Sequence, residues 1–452
     1  PDWSSSYLPS SFELCSSNFE LYYTKIIYPL KTLLIIYPHW HPANLAGVHR
    51  PRLTGNFLPE FGWKVRVLTV EEKYFEEKPY PNLSKTFCDS FKVTRVSAKK
   101  VRKPRIIGDI GLRAYKNMKN KALEILENGQ IDFIWIPIPS FYTALLGPFL
   151  NKKTGVPYGI DYIDPWVRDL TNQNNFRAVL SQWIARTLEP RALKNAALIT
   201  GVSENYYMPA IKRNELFERK PEPVKHTAFP YGFDPNDHKI KIDKIDFPWQ
   251  SGKKIWLYTG AFLPNSHYFV DSLFKAISEL RAENDPGIED VQFWFLGTGP
   301  YPAKRITRYA EEHAISDLVF EIRERFPFLH TLNFQSAANT VMIVGSTEKH
   351  YTASKTYQSL LSEKPVFSIL HEESQAMEVL QECNADKHTI AFRENMTSDE
   401  LVFKMKKIIS SRLTDDHWSP DLKKLDKYSA RASAEKLSAA MDNILEQWSS
   451  II

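Results

Sequence analysis

Residues 33–70 read LLIIYPHWHPANLAGVHRPRLTGNFLPEFGWKVRVLTV, and this stretch decides the fold class. It opens on Leu33–Tyr37, a short apolar run of the kind that fills a buried parallel strand. A loop of ten residues, 38–47, follows. Val48–Phe61 then reads as a helix, with Gly62 placed to end it in a left-handed cap. Lys64–Val70 (KVRVLTV) is the next strand. Strand, helix and strand at this spacing make a parallel crossover unit.

The same rhythm continues outward. Asp132–Ile136 reads as a strand, Phe141–Asn151 as a helix and Tyr158–Tyr162 as a strand. Phe176–Ala196 is a long helix, followed by strands at Leu198–Val202 and near His226–Pro230. Residues 235–252 (PNDHKIKIDKIDFPWQSG) lose the alternation and read as a polar, Pro-punctuated linker. It restarts with Lys254–Thr259, helix Tyr268–Glu283 and Val291–Leu296, then Leu318–Ile322, Thr340–Val344 and Pro365–Leu370. The expected organisation is an N-terminal extension (1–30), a first Rossmann-like domain (31–235), a linker (236–252), a second Rossmann-like domain (253–428) and a terminal helix (429–452). The expected fold class is α/β, two doubly wound domains facing a central cleft. The terminal helix carries Leu437, Met441, Ile444, Leu445 and Trp448 on one stripe, so it must pack on its own domain or cross back onto the first.

Composition removes several classes. With 43% hydrophobic and 25% charged residues, the chain has the make-up of a soluble globular protein. A net charge of only +5 does not suit a coat for nucleic acid. Cys15, Cys88 and Cys383 form neither a disulfide framework nor a zinc spacing, which points to a reducing, cytoplasmic setting. No apolar run approaches the roughly 18–20 residues that span a bilayer, and residues 1–30 lack the basic start and apolar core of a signal peptide.

Ligands of open α/β sheets bind beyond the carboxyl ends of the strands, so the candidate residues are sought there. After Thr340–Val344, a short helix begins near Ser354. Its free N–H groups, the capping Ser354 and Lys355 make an anion site suited to a diphosphate. Gln358, one turn on, is placed to reach a ribose hydroxyl. Gly260 ends the first strand of the second domain and lets a phosphate approach the backbone; the only basic residue in the loop after it is His267. Gly297-Thr298-Gly299 forms a two-glycine turn that does not continue as a dinucleotide fingerprint. Asp164, just past Tyr158–Tyr162, is placed to orient an acceptor hydroxyl or to act as base. Glu372, Glu373 and Ser374 are candidates to touch a sugar. His39 and His41 lack a third ligand, so no metal site is expected. Arg50 and Arg52 are expected to be solvated, or one of them to face the cleft.

Several motifs, in order, resemble the retaining glycosyltransferases of the two-Rossmann GT-B fold, especially bacterial members that build surface polysaccharides. They are Leu58–Thr69 (LPEFGWKVRVLT), Asp161–Trp166 (DYIDPW), Ser203 closing a strand, Tyr231–Asp234 (YGFD), Phe295–Pro300 (FLGTGP) and Ala353–Val366 (ASKTYQSLLSEKPV). The resemblance spans residues 32–448. It implies an acceptor-binding first domain and a second domain that binds a nucleotide-diphosphate sugar. Retention at the anomeric carbon and no cofactor or essential metal are also implied. It assigns Gly47 to the loop that approaches the donor phosphates, and Gly260, Gly297, Thr298, Ser354 and Lys355 to donor binding, with Asp164 and Lys355 as catalytic candidates. Many relatives carry two glutamates eight positions apart where this chain has His350 and Gln358, and a glycine where it has Glu363.

Between residues 99 and 121, nine basic residues face one acid, an excess of +8 that is larger than that of the whole chain. Lys99, Lys100, Arg102, Lys103 and Arg105 head this run and are candidates to face an anionic membrane. No aromatic-interleaved pattern suggests nucleic acid. The expected activity is transfer of a sugar from a nucleotide-diphosphate sugar to a glycan or lipid-linked acceptor, by a cytoplasmic protein attached peripherally to the membrane. The alternatives are a sugar-nucleotide epimerase of the same fold and a catalytically silent sugar-nucleotide binder.

Overall fold

A computed structural model describes residues 30–101, 108–168, 176–219, 223–249, 252–262, 264–299, 304–347, 349, 354–415 and 417–449. Arg102, Lys103, Arg105 and His350 lie outside the described residues. The first sheet contains β1 (Lys31–Ile36), β2 (Trp63–Val70), β3 (Lys92–Val96), β4 (Phe133–Ile138), β5 (Tyr158–Tyr162), β6 (Leu198–Gly201) and β7 (Lys225–Ala228). The second contains β8 (Lys254–Thr259), β9 (Val291–Leu296), β10 (Val319–Ile322), β11 (Thr340–Val344), β12 (Val366–His371) and β13 (Thr389–Phe392). Their orders are β3-β2-β1-β4-β5-β6-β7 and β10-β9-β8-β11-β12-β13. Both are doubly wound, with strand order reversing beside β1 and beside β8, where crevices open at the carboxyl ends.

The apolar runs form these strands because both faces are covered. Leu33, Leu34, Ile35 and Ile36 are fully buried, and β1 pairs in parallel with β2 (Leu33 beside Val65) and with β4 (Leu33 beside Phe133). The helix after β1 runs Ala46–Phe57; Leu58–Phe61 tightens into a 3-10 turn, and Gly62 ends it in the left-handed region at φ 81°.

Strand β3 and the helix Ile110–Asn128 are among the elements that escaped the sequence reading. Strand β3 is a part-exposed edge with polar alternation rather than an apolar run. The helix Ile110–Asn128 was hidden by its basic residues, but Ile110, Ala114, Met118, Ala122 and Ile125 lie buried along its inner side. Asp109 caps it, accepting from Leu112 N at 2.7 Å. Within the linker, Pro235–Lys239 forms a short helix that buries Asp237 and His238.

The terminal helix Ala430–Ser449 crosses back. Ala434, Leu437, Met441 and Ile444 share one core with Leu33, Ile35, Trp63, Phe133 and Trp135 of the first sheet. Asp442 fixes it, accepting from Trp63 Nε1 at 3.1 Å and pairing with Lys31 at 2.5 Å.

Arg50 and Arg52 correct the expectation of solvated arginines: both are fully buried. Arg50 grips Asp161 through Nε and a terminal nitrogen at 2.6 and 2.8 Å and donates to the carbonyls of Phe229 and Pro230. Thr200 also donates to Asp161, at 2.6 Å. One guanidinium thus ties the 46–57 helix to β5 and to the chain leaving β7, while Asp161 receives a hydroxyl from β6. Arg52 grips Asp237 of the linker at 2.7 Å. Burial at this depth is tolerated only because each charge faces an opposite charge, although Arg52 Nε has no hydrogen-bond partner among the described residues.

The domains meet where the Ala46–Phe57 helix and the loop after β2 touch the helix Phe328–Ala337. The His49 and Phe328 rings lie 4.4 Å apart, and Tyr80 hydroxyl meets His330 Nδ1 at 3.0 Å.

Candidate functional site

On the second domain, the carboxyl-end loops are stitched into one rim. Gly260 N donates to Leu296 O and Phe262 N to Thr298 O, joining the loops after β8 and β9. Ser266 hydroxyl donates to Gly345 O, which adds the loop after β11. Gly260 has φ 116°, and a Cβ there would come within 2.5 Å of Lys355 Cε. The missing side chain lets Lys355 lie across the loop, where its ammonium donates to Tyr258 hydroxyl and Ala261 O at 3.0 Å each. The helix Ser354–Leu361 begins at the same point. Gly260, Lys355 and a helix N-terminus therefore converge, which is the arrangement that receives an anion.

Gly297, at φ 75°, lies within 3.8 Å of Gly260 N, measured from where a Cβ would stand. Thr298 is buried and gives its hydroxyl to Glu321 at 2.6 Å, so it holds the rim together. Lys304, Arg305 and Arg323 line a recess beside Thr298 and Gly299. Arg323 directly follows β10, so the strand-end rule points to it, although the sequence reading passed over it. Burial holds His267 below its usual pKa, and it meets Tyr309 hydroxyl at 2.7 Å; it adds no fixed charge.

The remaining donor candidates are placed as follows. Gln358 Oε1 meets His238 Nε2 of the linker helix at 2.7 Å, so it spans the seam between linker and second domain. Burial lowers the pKa of His238, which suits a neutral ring donating to the amide. Ser374 is buried and caps the helix Gln375–Glu382, accepting from Met377 N. Glu373 is exposed and pairs with Lys349 at 2.9 Å. Gly47 packs under Tyr37: a Cβ there would lie 2.2 Å from the Tyr37 hydroxyl.

The first domain presents an acidic rim. Tyr37 follows β1 and is 2% exposed. Its hydroxyl makes no hydrogen bond among the described residues, and burial, Tyr231, Asp164, Asp109 and Glu77 together push its pKa well up. His39 Nδ1 meets Glu77 Oε1 at 3.1 Å. Burial pushes Glu77 up, but the hydrogen bond and charge of His39 outweigh it and hold the carboxyl below the usual range. Ser140 donates to Asp109 at 3.1 Å, and burial raises Asp109 despite that bond. Burial also raises Asp164, with Arg168 opposing. In the Asp161–Trp166 motif, then, the first aspartate is a buried structural anchor and the second is half-buried at the rim. Tyr37, His39, Glu77 and Asp109 join Asp164 only in three dimensions, which is why sequence spacing missed them.

Among the described residues, no group of three or more His, Cys, Asp or Glu could hold a metal ion, and no helix is long and apolar enough to cross a membrane. Lys99 and Lys100 are exposed, whereas Arg113 of the same basic run is buried and donates to Lys99 O and Glu76.

No family model matches the chain, and no curated protein matches it in sequence. Its likeness is to solved structures. Trehalose-6-phosphate synthase OtsA is 12% identical, with a TM-score of 0.58 over 91% of this chain and 99% of that one. A sucrose-phosphate synthase from Thermosynechococcus elongatus is 13% identical, with a TM-score of 0.54 over 92% and 100%. HepE of Anabaena, in complex with UDP, is 14% identical, with a TM-score of 0.50 over 93% and 100%. At such identities the likeness is one of architecture, and together with the two doubly wound sheets it establishes that this chain has the GT-B fold.

Proposed function

We propose that the protein is a glycosyltransferase that moves a sugar from a nucleotide-diphosphate sugar to a glycan or lipid-linked acceptor in surface polysaccharide synthesis. The observation that carries this reading is the convergence of Lys355, the start of the Ser354–Leu361 helix and the side-chain-free Gly260. A cation, a helix N-terminus and an unobstructed backbone at one point suit a diphosphate, and their preorganisation favours the charge that develops on a leaving diphosphate. The names of the similar structures support it: HepE was solved with UDP, and two others are synthases of sugar phosphates.

The acidic rim supports the acceptor half. Asp164, raised by burial, suits a group that accepts a hydrogen bond or proton from an attacking hydroxyl. Approach of the two rims would exclude water and limit donor hydrolysis. Retention at the anomeric carbon and independence from an essential metal belong to the same proposal, as does a cytoplasmic, peripherally membrane-attached setting.

A thermal-shift screen over nucleotide sugars tests the donor half, because a ligand that binds only the native state raises apparent stability. Product analysis then tests transfer. Donor cleavage that depends on acceptor is the expected result. Isomerised donor without acceptor, or binding with no turnover over a panel of acceptors, would overturn the proposal.

A further inference from the structure

The Phe176–Leu193 helix turns an apolar face to solvent. Phe176, Val179, Leu180 and Trp183 are 77%, 54%, 43% and 65% exposed. Their spacing of three, four and seven places them on one stripe. The helix is anchored by its C-terminal half: Ala185, Ala192 and Leu193 belong to the first domain's core, and Glu189 receives Tyr162 and Arg213. The stripe is therefore not needed to hold the helix in place. Soluble proteins rarely leave a contiguous stripe of this kind open unless it meets something.

Charge says what it meets. The only acid in the helix is Glu189, which is buried. Among the described side chains, the other exposed positions of the helix are Ser181, Arg186, Thr187, Pro190 and Arg191. Beside the stripe opens a cavity of about 480 Å³ whose wall includes Trp166, Arg168 and Arg186. Arg186 makes no hydrogen bond or ion pair with another described residue. Pro165 and Trp166 of the same wall directly follow Asp164, so the cavity adjoins the acidic rim.

We propose that this face docks on an anionic lipid bilayer. Phe176, Val179, Leu180 and Trp183 enter at headgroup depth, and Arg186 with Arg168 receives a headgroup phosphate. A helix with aromatic and aliphatic residues on one side, and cations but no exposed acid beside them, binds such an interface through both terms. The docking element is thus the 176–186 segment rather than Lys99 and Lys100. The docking rests on the transferase reading only for its purpose, which is to bring the acid rim near a lipid-linked acceptor.

The test is co-sedimentation of the full chain with vesicles of phosphatidylcholine alone and of phosphatidylcholine mixed with phosphatidylserine. Wild type is expected to sediment with the mixed vesicles, and Phe176→Ser/Trp183→Ser to lose about tenfold or more in partitioning. Arg186→Gln is expected to lose most of the preference for phosphatidylserine, and Lys99→Gln/Lys100→Gln to bind as wild type. Because all these side chains are exposed, melting temperature and nucleotide-sugar binding should not change. That control separates loss of docking from failure of the donor reading. Wild type that ignores both vesicles, or a double serine variant that binds as wild type, overturns the proposal. So does a wild type that ignores vesicles yet elutes as a dimer which the double variant dissociates.

Discussion

Replacing Arg50 with methionine removes four hydrogen bonds from a fully buried position, two to Asp161 and two to the carbonyls of Phe229 and Pro230. Asp161, itself inaccessible, would then keep, among the described residues, only the Thr200 hydroxyl. Removing one partner of a buried pair costs about 3–5 kcal/mol, because the surviving charge stays desolvated. Arg50→Met should cost that much, and Asp161→Leu, which strands the arginine, a similar amount. The double variant should recover much of the loss, leaving about 1–3 kcal/mol for the buried Phe229 carbonyl that loses its donor and the Thr200 O–H that loses its acceptor, since Pro230 O keeps the Ser433 hydroxyl. The coupling energy should therefore exceed about 2 kcal/mol. Urea unfolding followed by tryptophan fluorescence reads it, since Trp135 Nε1 donates to Thr200 at 3.1 Å and so reports on this cluster. The two domains are expected to give separate transitions, with only the first moving. An Arg50→Met cost below about 1 kcal/mol, or additive single and double variants, would refute the idea that a desolvated ion pair clamps the first domain.

Lys355→Ala should weaken binding of the donor found in the thermal screen by about 1.5–3 kcal/mol, the range for a hydrogen bond to a charged group; unchanged affinity by calorimetry removes Lys355 from the site. Asp164 has its folded-state pKa raised by burial, so the folded state holds the proton more tightly and ionisation at neutral pH destabilises it. Asp164→Asn should then melt higher than wild type at pH 7, with the difference vanishing below the ordinary aspartate range, while transfer falls; a lower melting temperature at pH 7 contradicts that sign. His388 is the opposite case: burial, with Arg412 and Lys387 adding, lowers it to about 4. The unfolded state therefore binds the proton first, so stability is full above about pH 6.5 and lost as pH falls toward about 4. His388→Gln should flatten that limb in melting temperature against pH, and an unchanged limb would assign it to other groups.

The architecture was legible because a parallel sheet covered on both faces must be built from apolar runs, and Leu33–Tyr37 and Thr340–Val344 have the length and composition of buried strands. What remained hidden had two causes. Strand β3 and the Ile110–Asn128 helix carry polar or basic residues on their exposed sides, which diluted the pattern. Arg50 and Arg52 looked like surface charge because their partners, Asp161 and Asp237, lie 111 and 185 positions away. The donor rim was partly readable: glycines at strand ends and Lys355 after a helix start are local features. Ser374 shows the limit of that logic, since a serine before a helix is a cap first, and here its oxygen is taken by Met377 N. The acid rim of Tyr37, His39, Glu77, Asp109 and Asp164 draws on four separate segments, and no one-dimensional spacing encodes it.

The return of the Ala430–Ser449 helix to the first sheet has a mechanical meaning. The two domains are joined twice, once through the Pro235–Lys239 segment and once just before Ala430, which meets Gly232 and donates to Phe233 O at 2.9 Å. Two crossing points that nearly touch define an axle: the domains can swing open and shut about it, but cannot freely swivel. The same path sets an order on biosynthesis. A ribosome that has released residues 30–235 has not yet made Leu437, Met441 or Ile444, so Trp63 and Trp135 keep a bare flank until the second domain has emerged. The first half to be synthesised is thus the last to be finished.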